Sequence, residues 1–207
     1  MPTENMDTKP ESIPVRMTPA EAALLENRMV AGADYLEFGS GGSTLLALSR
    51  GVKHCRSVEG DPDWLARMRE FEPIATAEAE GRLVFEPVDI GPVGEWSIPT
   101  SEDGIRRWPA YFLSVWERLD RAPDLVLIDG RFRTACVLAT LIACPSTTCV
   151  LVHDFFEKHP MRSNYRSILD IADIVEAAED LVSLRKKDDV GNGQLLSRLE
   201  SAWTDFG

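Results

Sequence analysis

The sequence contains no long hydrophobic run. Its longest apolar stretch, Ala135 to Cys144, has only ten residues, whereas a membrane-spanning helix needs about 20. The first 17 residues are polar and contain three prolines, but no hydrophobic segment of the kind found in secretory signals. We therefore expect residues 1–17 to form a flexible N-terminal arm, and we expect neither a membrane anchor nor export.

Cysteine motifs are also missing. The four cysteines include no Cys-x-x-Cys pair and no cysteine-histidine spacing suited to a metal. Three of them lie in apolar runs, and disulfides persist mainly in oxidising compartments. We therefore predict reduced core thiols in a cytoplasmic protein, at positions Cys55, Cys136, Cys144 and Cys149.

Positive charge is scarce. The chain has 22 Lys and Arg residues against 34 Asp and Glu, which gives a formal net charge of -12. Such a charge repels nucleic-acid phosphates and anionic lipid surfaces. The expected partner is therefore a small molecule, with no nucleic acid and no membrane, and the sequence leaves a homodimer open.

Length and composition indicate one globular domain. The chain has 207 residues, of which 44% are hydrophobic and 27% are charged, and these values are ordinary for a protein with a single core. Residues 18–207 are assigned to this domain. It carries an inserted loop at about 91–110, where glycine, proline and tryptophan interrupt any regular pattern.

The most informative stretch runs from Ala33 to Leu48. A short β-prone run ends at Phe38, a glycine turn follows, and an apolar helical pattern begins at Leu45. Ser43 or Thr44 would cap that helix. Glycines let a ligand approach the main chain closely, and the start of a helix favours an anionic group. The pattern therefore predicts a site for a nucleotide-like cofactor.

Two acidic residues sharpen this prediction. Glu37 lies two residues before the first glycine, where dinucleotide-binding turns usually carry an apolar residue, and Thr44 stands where their third glycine would be. A nicotinamide cofactor therefore fits poorly. Glu59 ends the next predicted strand, twenty residues after Gly39, and this spacing suits hydrogen bonds to two ribose hydroxyls. Glu37 either contacts the cofactor or holds the turn through backbone N–H groups.

The rest of the chain alternates strands and helices. Further strands are predicted at 54–58, 82–88, 124–128 and 148–152, and helices at 18–29, 62–70, 111–119, 133–144 and 164–179. A final hairpin is predicted from 181–185 and 194–199, around a turn at 191–193. The fold class is therefore α/β: a Rossmann-like, doubly wound, mostly parallel seven-stranded sheet with a reversed last strand and helices on both faces.

This combination resembles the class I S-adenosylmethionine-dependent methyltransferases, over roughly residues 30–200. The acid-x-Gly-x-Gly turn, the acid that ends the second strand and the reversed final strand carry the resemblance. It implies an S-adenosylmethionine site at the carboxyl ends of the strands, with Asp89 near the adenine amino group. The cofactor-binding residues expected on this basis are Glu37, Gly39, Ser40, Gly41, Ser43, Thr44, Glu59, Gly60, Asp89 and Asp129.

Acids follow the fourth and fifth strands as well. The sequences Ile-Asp-Gly and Val-His-Asp at these points resemble small-molecule O-methyltransferases of the macrocin and catechol types, whose acids hold a divalent metal. The resemblance implies a Mg²⁺ site at Asp129 and Asp154, and we expect catalytic roles for Asp129, His153 and Asp154. Catechol-type enzymes carry Asn after the second acid, whereas this chain has Phe155. Asp129 alternatively caps a turn, and His153 is either a general base or a satisfied core histidine.

Several basic residues fall near the same sheet edge despite the acidic total. We expect Arg131 to bind an acidic group of the acceptor, and Trp108 to contact the acceptor from the inserted loop. The alternatives are a solvated rim for the basic residues and simple packing for Trp96 and Trp108, although an aromatic loop also suits a lid. The other basic residues of this set are Arg106, Arg107, Arg133, Lys158, Arg162 and Arg166.

The sequence therefore predicts an S-adenosylmethionine-dependent methyltransferase that acts on a small, acidic or hydroxylated molecule. Methyl transfer from a sulfonium needs alignment, exclusion of water and a deprotonated acceptor. Two alternatives stay open. One is a catalytically silent binding protein with the same fold. The other is a nicotinamide-dependent oxidoreductase, against which Glu37, Thr44 and the closing hairpin speak.

Overall fold

The protein folds around one seven-stranded sheet. The computed structural model describes residues 13–156 and 165–205, and its sheet has the order β3-β2-β1-β4-β5-β7-β6. The strands are β1 Asp34–Phe38, β2 His54–Glu59, β3 Leu83–Pro87, β4 Leu125–Ile128, β5 Cys149–Val152, β6 Ala172–Ala178 and β7 Leu181–Lys186. Strands β1 to β5 pair in parallel, and β7 is antiparallel to both of its neighbours. The predicted fold class is confirmed.

Helices connect most of the strands. They are α1 Pro19–Arg28, α2 Gly42–Ser49, α3 Pro62–Met68, α4 Glu72–Ala79, α5 Pro109–Leu113, α6 Arg133–Ala143 and α7 Asn192–Ala202. Thr18 caps α1 with a capping box to Glu21, and Asp61 caps α3 by accepting the Asp63 and Trp64 N–H groups. Short 3-10 turns occur at Glu95–Ser97, Glu102–Gly104, Ser114–Arg118 and Tyr165–Asp170.

Alternation along the central strands divides the core into two apolar layers. In β1, Leu36 and Phe38 face one layer and Tyr35 faces the other. Successive side chains of a strand point to opposite faces, so a strand covered on both sides is buried throughout. The first layer packs under α5, α6 and α7, and the second under α1 to α4. This burial leaves the ends of the strands as the place for a ligand.

The end of the chain differs from its prediction. Residues 172–178, predicted as the end of a helix, form strand β6, and the predicted strand 194–199 lies inside helix α7. Leu195 and Leu199 are four residues apart and both buried, so the apolar period is that of a helix. The predicted turn at 191–193 is the start of this helix, where the Gln194 side chain accepts the Gly191 N–H. The hairpin is therefore β6–β7, one element earlier than predicted.

The structure also shows the inserted loop, the state of the cysteines and the character of the helices. The predicted inserted loop contains 3-10 turns and an isolated bridge between Val93 and Pro99 before α5 begins. All four cysteines are free thiols. Within residues 13–156 and 165–205, no helix combines the length and the apolar character that crossing a bilayer requires.

Candidate functional site

The carboxyl ends of β1, β2, β4 and β5 surround a crevice of about 820 Å³. Open α/β sheets bind ligands at this edge, and cavities of roughly 300–1,000 Å³ suit small molecules. The walls come from the glycine turn after β1, the end of β2, the start of α3, the inserted loop and the segments after β4 and β5. Residues 13–17 of the predicted arm also line the crevice, whereas residues 1–12 lie outside the described residues.

Gly39 lets the ends of β1 and β4 approach each other. Its φ is +95°, and a Cβ at this position would lie 2.6 Å from the Gly130 Cα. A Cβ at Gly130 would in turn lie 2.2 Å from the Tyr111 hydroxyl. Glycine is therefore required just after both strands, at Gly39 and Gly130. The two residues line the crevice, so their backbone is open to a ligand.

Glu37 lies behind the glycine turn. Its carboxylate accepts hydrogen bonds from the hydroxyls of Tyr35 at 2.8 Å, Ser43 at 2.7 Å and Thr44. Burial raises the pKa of Glu37 to about 6, against the opposing effect of the hydrogen bonds. Thr44 also accepts the Gly41 N–H at 3.0 Å. Glu37 and Thr44 therefore shape the start of α2, and neither residue lines the crevice.

Glu59 connects the glycine turn to the inserted loop. The residue is 4% exposed and lines the crevice. Its Oε2 accepts the N–H and the hydroxyl of Ser40, both at 3.1 Å. Its Oε1 accepts the N–H groups of Gly60 and Asp61 at 2.8 and 3.0 Å, and the Ser97 hydroxyl at 2.8 Å. The carboxylate thus lies beside the turn, as a ribose-binding acid must, although the ribose contact itself stays a prediction.

Besides Glu37 and Thr44, three further residues of the predicted site do not line the crevice. The Asp89 side chain is 72% exposed and pairs with Arg107 at 3.3 Å. Gly60 is buried against the side chain of Ile90. Trp108 is 2% exposed, and its indole N–H donates to the Ile90 carbonyl at 2.8 Å. The structure therefore places Trp108 in the core and not at a substrate contact, because packing there satisfies both its ring and its N–H.

Two other tryptophans line the crevice. Trp64, from α3, donates its indole N–H to the Ser40 carbonyl at 2.9 Å. Trp96 is 56% exposed, and the Arg16 guanidinium lies 4.8 Å from its ring centroid. The spacing of Trp64 within its helix also fits packing, so the sequence carries no separate signal for it. The inserted loop thus reaches the crevice through Trp96, whereas Trp108 anchors the loop to the core.

His153 joins the ends of β4 and β5 to α1. Its Nδ1 lies 3.0 Å from Asp129 Oδ1, and its Nε2 lies 3.4 Å from Glu21 Oε2. Burial would lower the pKa of His153, but the hydrogen bond to Asp129 and the charges of Asp129 and Asp154 raise it to about 9. The ring is thus protonated at neutral pH. A general base needs a neutral ring, so the geometry favours a positioning role for His153.

Arg133, the first residue of α6, lies between Asp129 and Asp154. Its Nη2 is 3.1 Å from Asp129 Oδ1, and its Nη1 is 2.9 Å from Asp154 Oδ2. The same guanidinium donates to the carbonyls of Gly130 at 2.9 Å, His153 at 2.6 Å and Asp129 at 2.9 Å. The guanidinium thus makes four hydrogen bonds and one further ion-pair contact with Asp129.

The predicted Mg²⁺ ligands must be weighed against these contacts. Ligand atoms of Asp129, His153 and Asp154 lie within 4.8 Å of one another. Both carboxylates already bind Arg133, however, and Mg²⁺ prefers oxygen ligands to an imidazole nitrogen. The residues present therefore do not fit Mg²⁺, and the chemistry proposed below does not use a metal.

Arg131 is a buried cation that lines the crevice. The residue is 8% exposed, and its guanidinium has no hydrogen bond or ion pair to any other described residue, with Nε fully buried. Burial lowers the pKa of Arg131, and the charge of Arg133 lowers it further. A buried cation is costly unless an opposite charge pairs with it. Arg131 is therefore ready to pair with an anionic group of a ligand.

The other basic residues predicted near the acceptor are placed differently. Arg133 lines the crevice but binds the two strand-end acids. Arg106, Arg107 and Arg166 are exposed and do not line the crevice. Lys158 and Arg162 lie outside the described residues. Among the described members of the set, Arg131 is thus the one available to an acceptor.

Comparison with known proteins identifies relatives among solved structures. The sequence matches no protein-family model and no curated protein. A methyltransferase-like protein from Silicibacter pomeroyi is 31% identical, with a TM-score of 0.77 over 93% of this chain and 98% of its own. This similarity therefore extends through the sheet and the crevice.

More distant structures share the fold. An O-methyltransferase from Bacillus cereus, in complex with SAH (S-adenosylhomocysteine), is 13% identical, with a TM-score of 0.55 and 84% of each chain covered. An SAH-bound methyltransferase from Podospora anserina is 15% identical, with a TM-score of 0.55 and coverage of 81% of this chain and 76% of its own. By its sheet order and its 31% identity to the Silicibacter protein, this chain belongs to the class I S-adenosylmethionine-dependent methyltransferase family, as a methyltransferase-like protein.

Proposed function

We propose that this chain binds S-adenosylmethionine and transfers its methyl group to a small anionic or hydroxylated molecule. The observation that carries the proposal is the position of Glu59, whose carboxylate meets the glycine turn at Ser40 inside the crevice. A carboxylate there accepts hydrogen bonds from ribose hydroxyls. Two proteins of the same fold are described with SAH, which supports this type of cofactor here.

Asp129 supports a positively charged cofactor. Burial would raise the pKa of Asp129, but the charge of Arg133 and the hydrogen bond from His153 lower it. Asp129 therefore carries a full negative charge at neutral pH, and it lines the crevice. A sulfonium is a cation, so a nearby carboxylate attracts it.

Arg131 supports an acceptor that carries an acid. A guanidinium binds a carboxylate or a phosphate through two parallel hydrogen bonds. The anionic group of the acceptor would be the charge partner that Arg131 lacks among the described residues. A carboxylate or a phosphate on the acceptor is therefore the specific part of the proposal.

The reaction fits an acceptor that is already deprotonated. Bound S-adenosylmethionine would supply the methyl group to an acceptor oxygen anion, and the bonding electron pair would stay on the sulfur of the departing SAH. His153 is charged at neutral pH and does not take a proton in this scheme. The residues of the crevice would align the two reactants and exclude water, which is where most of the rate gain arises.

A second candidate is a binding protein without turnover. The observation that favours it is the pairing of Asp129 and Asp154 with Arg133, which engages the predicted acid–base groups. Such a protein would bind S-adenosylmethionine but produce no SAH. A screen of carboxylate-bearing and phenolic acceptors for SAH production separates the two candidates.

Calorimetry tests the cofactor assignment. We expect SAH to bind the wild-type protein, and Glu59→Gln to weaken this binding at least tenfold, because a hydrogen bond to a charged group contributes about 1.5–3 kcal/mol. Glu95→Gln is the matched control, since Glu95 lines the same crevice from an exposed position. NAD serves as the competing ligand. Equal SAH affinity in wild type and Glu59→Gln, or preferential binding of NAD, would contradict the proposal.

We also propose that the protein resides in the cytoplasm. All four cysteines are free, and Cys55 and Cys136 are buried in the core. Burial raises the pKa of both thiols, which keeps them protonated and unreactive. Reduced core cysteines are typical of cytoplasmic proteins.

A further inference from the structure

Arg133 lies where a divalent cation would be expected between the two strand-end acids. The acids follow β4 and β5, which are hydrogen-bonded neighbours in the sheet. Nη1 and Nη2 of one guanidinium contact Asp154 Oδ2 at 2.9 Å and Asp129 Oδ1 at 3.1 Å. One buried positive group, 3% exposed, thus bridges both carboxylates.

The oxygen atoms around Arg133 form the kind of set that a hard metal ion prefers. They comprise two carboxylates and the backbone carbonyls of Asp129, Gly130 and His153. A guanidinium has five N–H donors, and that of Arg133 makes four hydrogen bonds and one further ion-pair contact with Asp129. Mg²⁺ and Ca²⁺ select such carboxylate and carbonyl oxygens. The guanidinium therefore takes the ligands that a metal would need.

The position of Arg133 in the chain supports this assignment independently. It is the first residue of α6, an eleven-residue helix. The start of a helix carries partial positive charge, so a cation there is unfavourable in the absence of acids. Burying an arginine also requires that its hydrogen bonds be satisfied. A buried arginine at this helix start is stable because the side chain turns back to the strand ends.

We infer that Arg133 is a built-in substitute for the divalent metal, so that the wild-type site binds no metal ion at Asp129 and Asp154. Arg133 is a positioning residue: it fixes the two carboxylates but does not face a reacting atom through a free N–H group. Removal of its guanidinium would leave a cage of oxygen ligands. The inference concerns the same crevice as the proposed methyl transfer, but it stands or falls independently of that function.

Metal binding tests this inference without any cofactor or acceptor. The probe is Mn²⁺, followed by the loss of its free-ion paramagnetic resonance signal and by calorimetry. We expect the wild-type protein to leave Mn²⁺ free. We expect Arg133→Met to bind one equivalent of Mn²⁺ at least about tenfold more tightly than wild type. The added substitution Asp154→Asn should abolish that binding, because loss of an outer-shell partner alone weakens metal sites by about 10–100-fold and loss of a ligand weakens them further.

Controls separate a metal site from a general loss of charge. Arg198→Met removes an arginine that pairs with Asp170 on the surface, and it should not create Mn²⁺ binding. Circular dichroism checks that Arg133→Met is folded. If it is not, Arg133→Gln replaces it, because a neutral amide keeps part of the hydrogen bonding.

Two results would overturn the inference. The first is stoichiometric Mn²⁺ binding by the wild-type protein that is lost in Asp154→Asn. The second is a folded Arg133 variant that leaves Mn²⁺ free, since the acids would then form no latent metal site. Neither result depends on whether SAH binds, so a failure here is distinct from a failure of the proposed function.

Discussion

The Ser97 hydroxyl donates to Glu59 Oε1 at 2.8 Å, so the inserted loop already occupies one oxygen of the acid assigned to the ribose. Ser97 and its neighbour Trp96 have positive φ values of 56° and 60°. Non-glycine residues adopt such values rarely, at a cost of about 1–3 kcal/mol each. The contact with Glu59 therefore helps to hold the loop in a strained form, and a ribose hydroxyl bound to Oε1 would replace the Ser97 hydroxyl.

This relationship predicts that Ser97→Ala strengthens nucleoside binding. In the wild-type protein, a ribose hydroxyl must first displace the Ser97 hydroxyl from Glu59. Loss of that hydrogen bond reduces the binding free energy of the ligand by about 1 kcal/mol. We expect calorimetry to give an SAH affinity several-fold higher in Ser97→Ala. Ser101→Ala is the control, because Ser101 lies in the same loop and bonds to Asp103 instead. Weaker SAH binding in Ser97→Ala would show that Ser97 holds the cofactor.

The part of the site near Glu59 can be predicted from the sequence, because it depends on the succession of neighbouring secondary-structure elements. A strand, a glycine turn, a helix and a second strand fix where Gly39 and Glu59 come together, through parallel pairing of β1 and β2. The role of Glu37 was less readable. Its hydroxyl partners, Ser43 and Thr44, are local too, but nothing in the sequence says that the carboxylate turns away from the crevice.

The cluster of Asp129, His153, Asp154 and Arg133 at the ends of β4 and β5 is held by tertiary contacts, and no short sequence motif predicts these contacts. The sequence indicates the acids after β4 and β5 as a pair, but it identifies Arg133 only as a basic residue near the acceptor. Its guanidinium turns back to Asp129 and Asp154 from the first residue of α6, directly after Phe132, whose φ of 55° is left-handed. Glu21 joins the cluster from α1, more than a hundred residues away in the chain.

The C-terminal elements β6 and α7 differ from their predictions for another reason. The Ala- and Glu-containing stretch of β6 favours a helix by local propensity, yet it pairs as an edge strand with β7. The stretch from Gly191 looks like a turn, yet it begins a helix. In both places tertiary packing overrides local preference, although the last strand of the chain, β7, is reversed as predicted.

Gly39→Ala should destabilise the fold far more than Gly41→Ala. At Gly39 a new Cβ would lie 2.6 Å from the Gly130 backbone, and the φ of +95° disfavours any side chain. We expect a loss of about 2–4 kcal/mol in the free energy of unfolding. A Cβ at Gly41 meets nothing within 4 Å, and the backbone there is extended. Gly41→Ala should therefore change the free energy by less than about 0.5 kcal/mol.

Urea denaturation, monitored by circular dichroism, measures the free energies of unfolding of Gly39→Ala and Gly41→Ala. Both substitutions are the same in chemistry and lie two residues apart, so their difference isolates the contact between the ends of β1 and β4. Similar midpoints for the two variants would mean that the strand ends separate easily, and that the floor of the crevice is not rigid.

His153 predicts a loss of stability at alkaline pH. The pKa of this residue is about 9 in the folded chain, against an ordinary value of 6.5. A raised pKa means that the folded state binds the proton more tightly, so the stabilisation is complete below pH 6.5 and is lost as the pH rises through 9. The shift corresponds to about 3 kcal/mol at most. The groups that face the ring are Asp129, Asp154, Glu21 and Arg133.

The comparison of wild type with His153→Gln isolates this effect. Other groups titrate in both proteins, so the difference between their unfolding free energies at pH 6, 7.5 and 9.5 is the relevant quantity. We expect this difference to shrink as the pH rises. A constant difference over the whole range would mean that His153 is neutral in the folded protein, which would reopen the general-base role.

Arg131→Met should stabilise the protein while it weakens anion binding. The guanidinium is buried, and none of the described residues pairs with it, so replacement by an apolar side chain of similar length removes a desolvation cost. Apolar replacements of buried charges gain up to about 1–4 kcal/mol. The probe for binding is benzoate, titrated into the protein with SAH present. We expect its affinity to fall at least about tenfold, or 1.4 kcal/mol.

Three ligands together show whether the anion that Arg131 binds belongs to the acceptor or to the cofactor. If Arg131 binds the carboxylate of the cofactor instead of an acceptor, Arg131→Met weakens SAH but not 5′-methylthioadenosine, which lacks the amino-acid portion. If it binds the acceptor, the affinities of both nucleosides are unchanged and only benzoate is lost. Arg131→Lys keeps the charge but not the two parallel hydrogen bonds, so its affinity for the carboxylate should be intermediate. A variant that is less stable than wild type and binds all three probes unchanged would mean that Arg131 supports the fold alone.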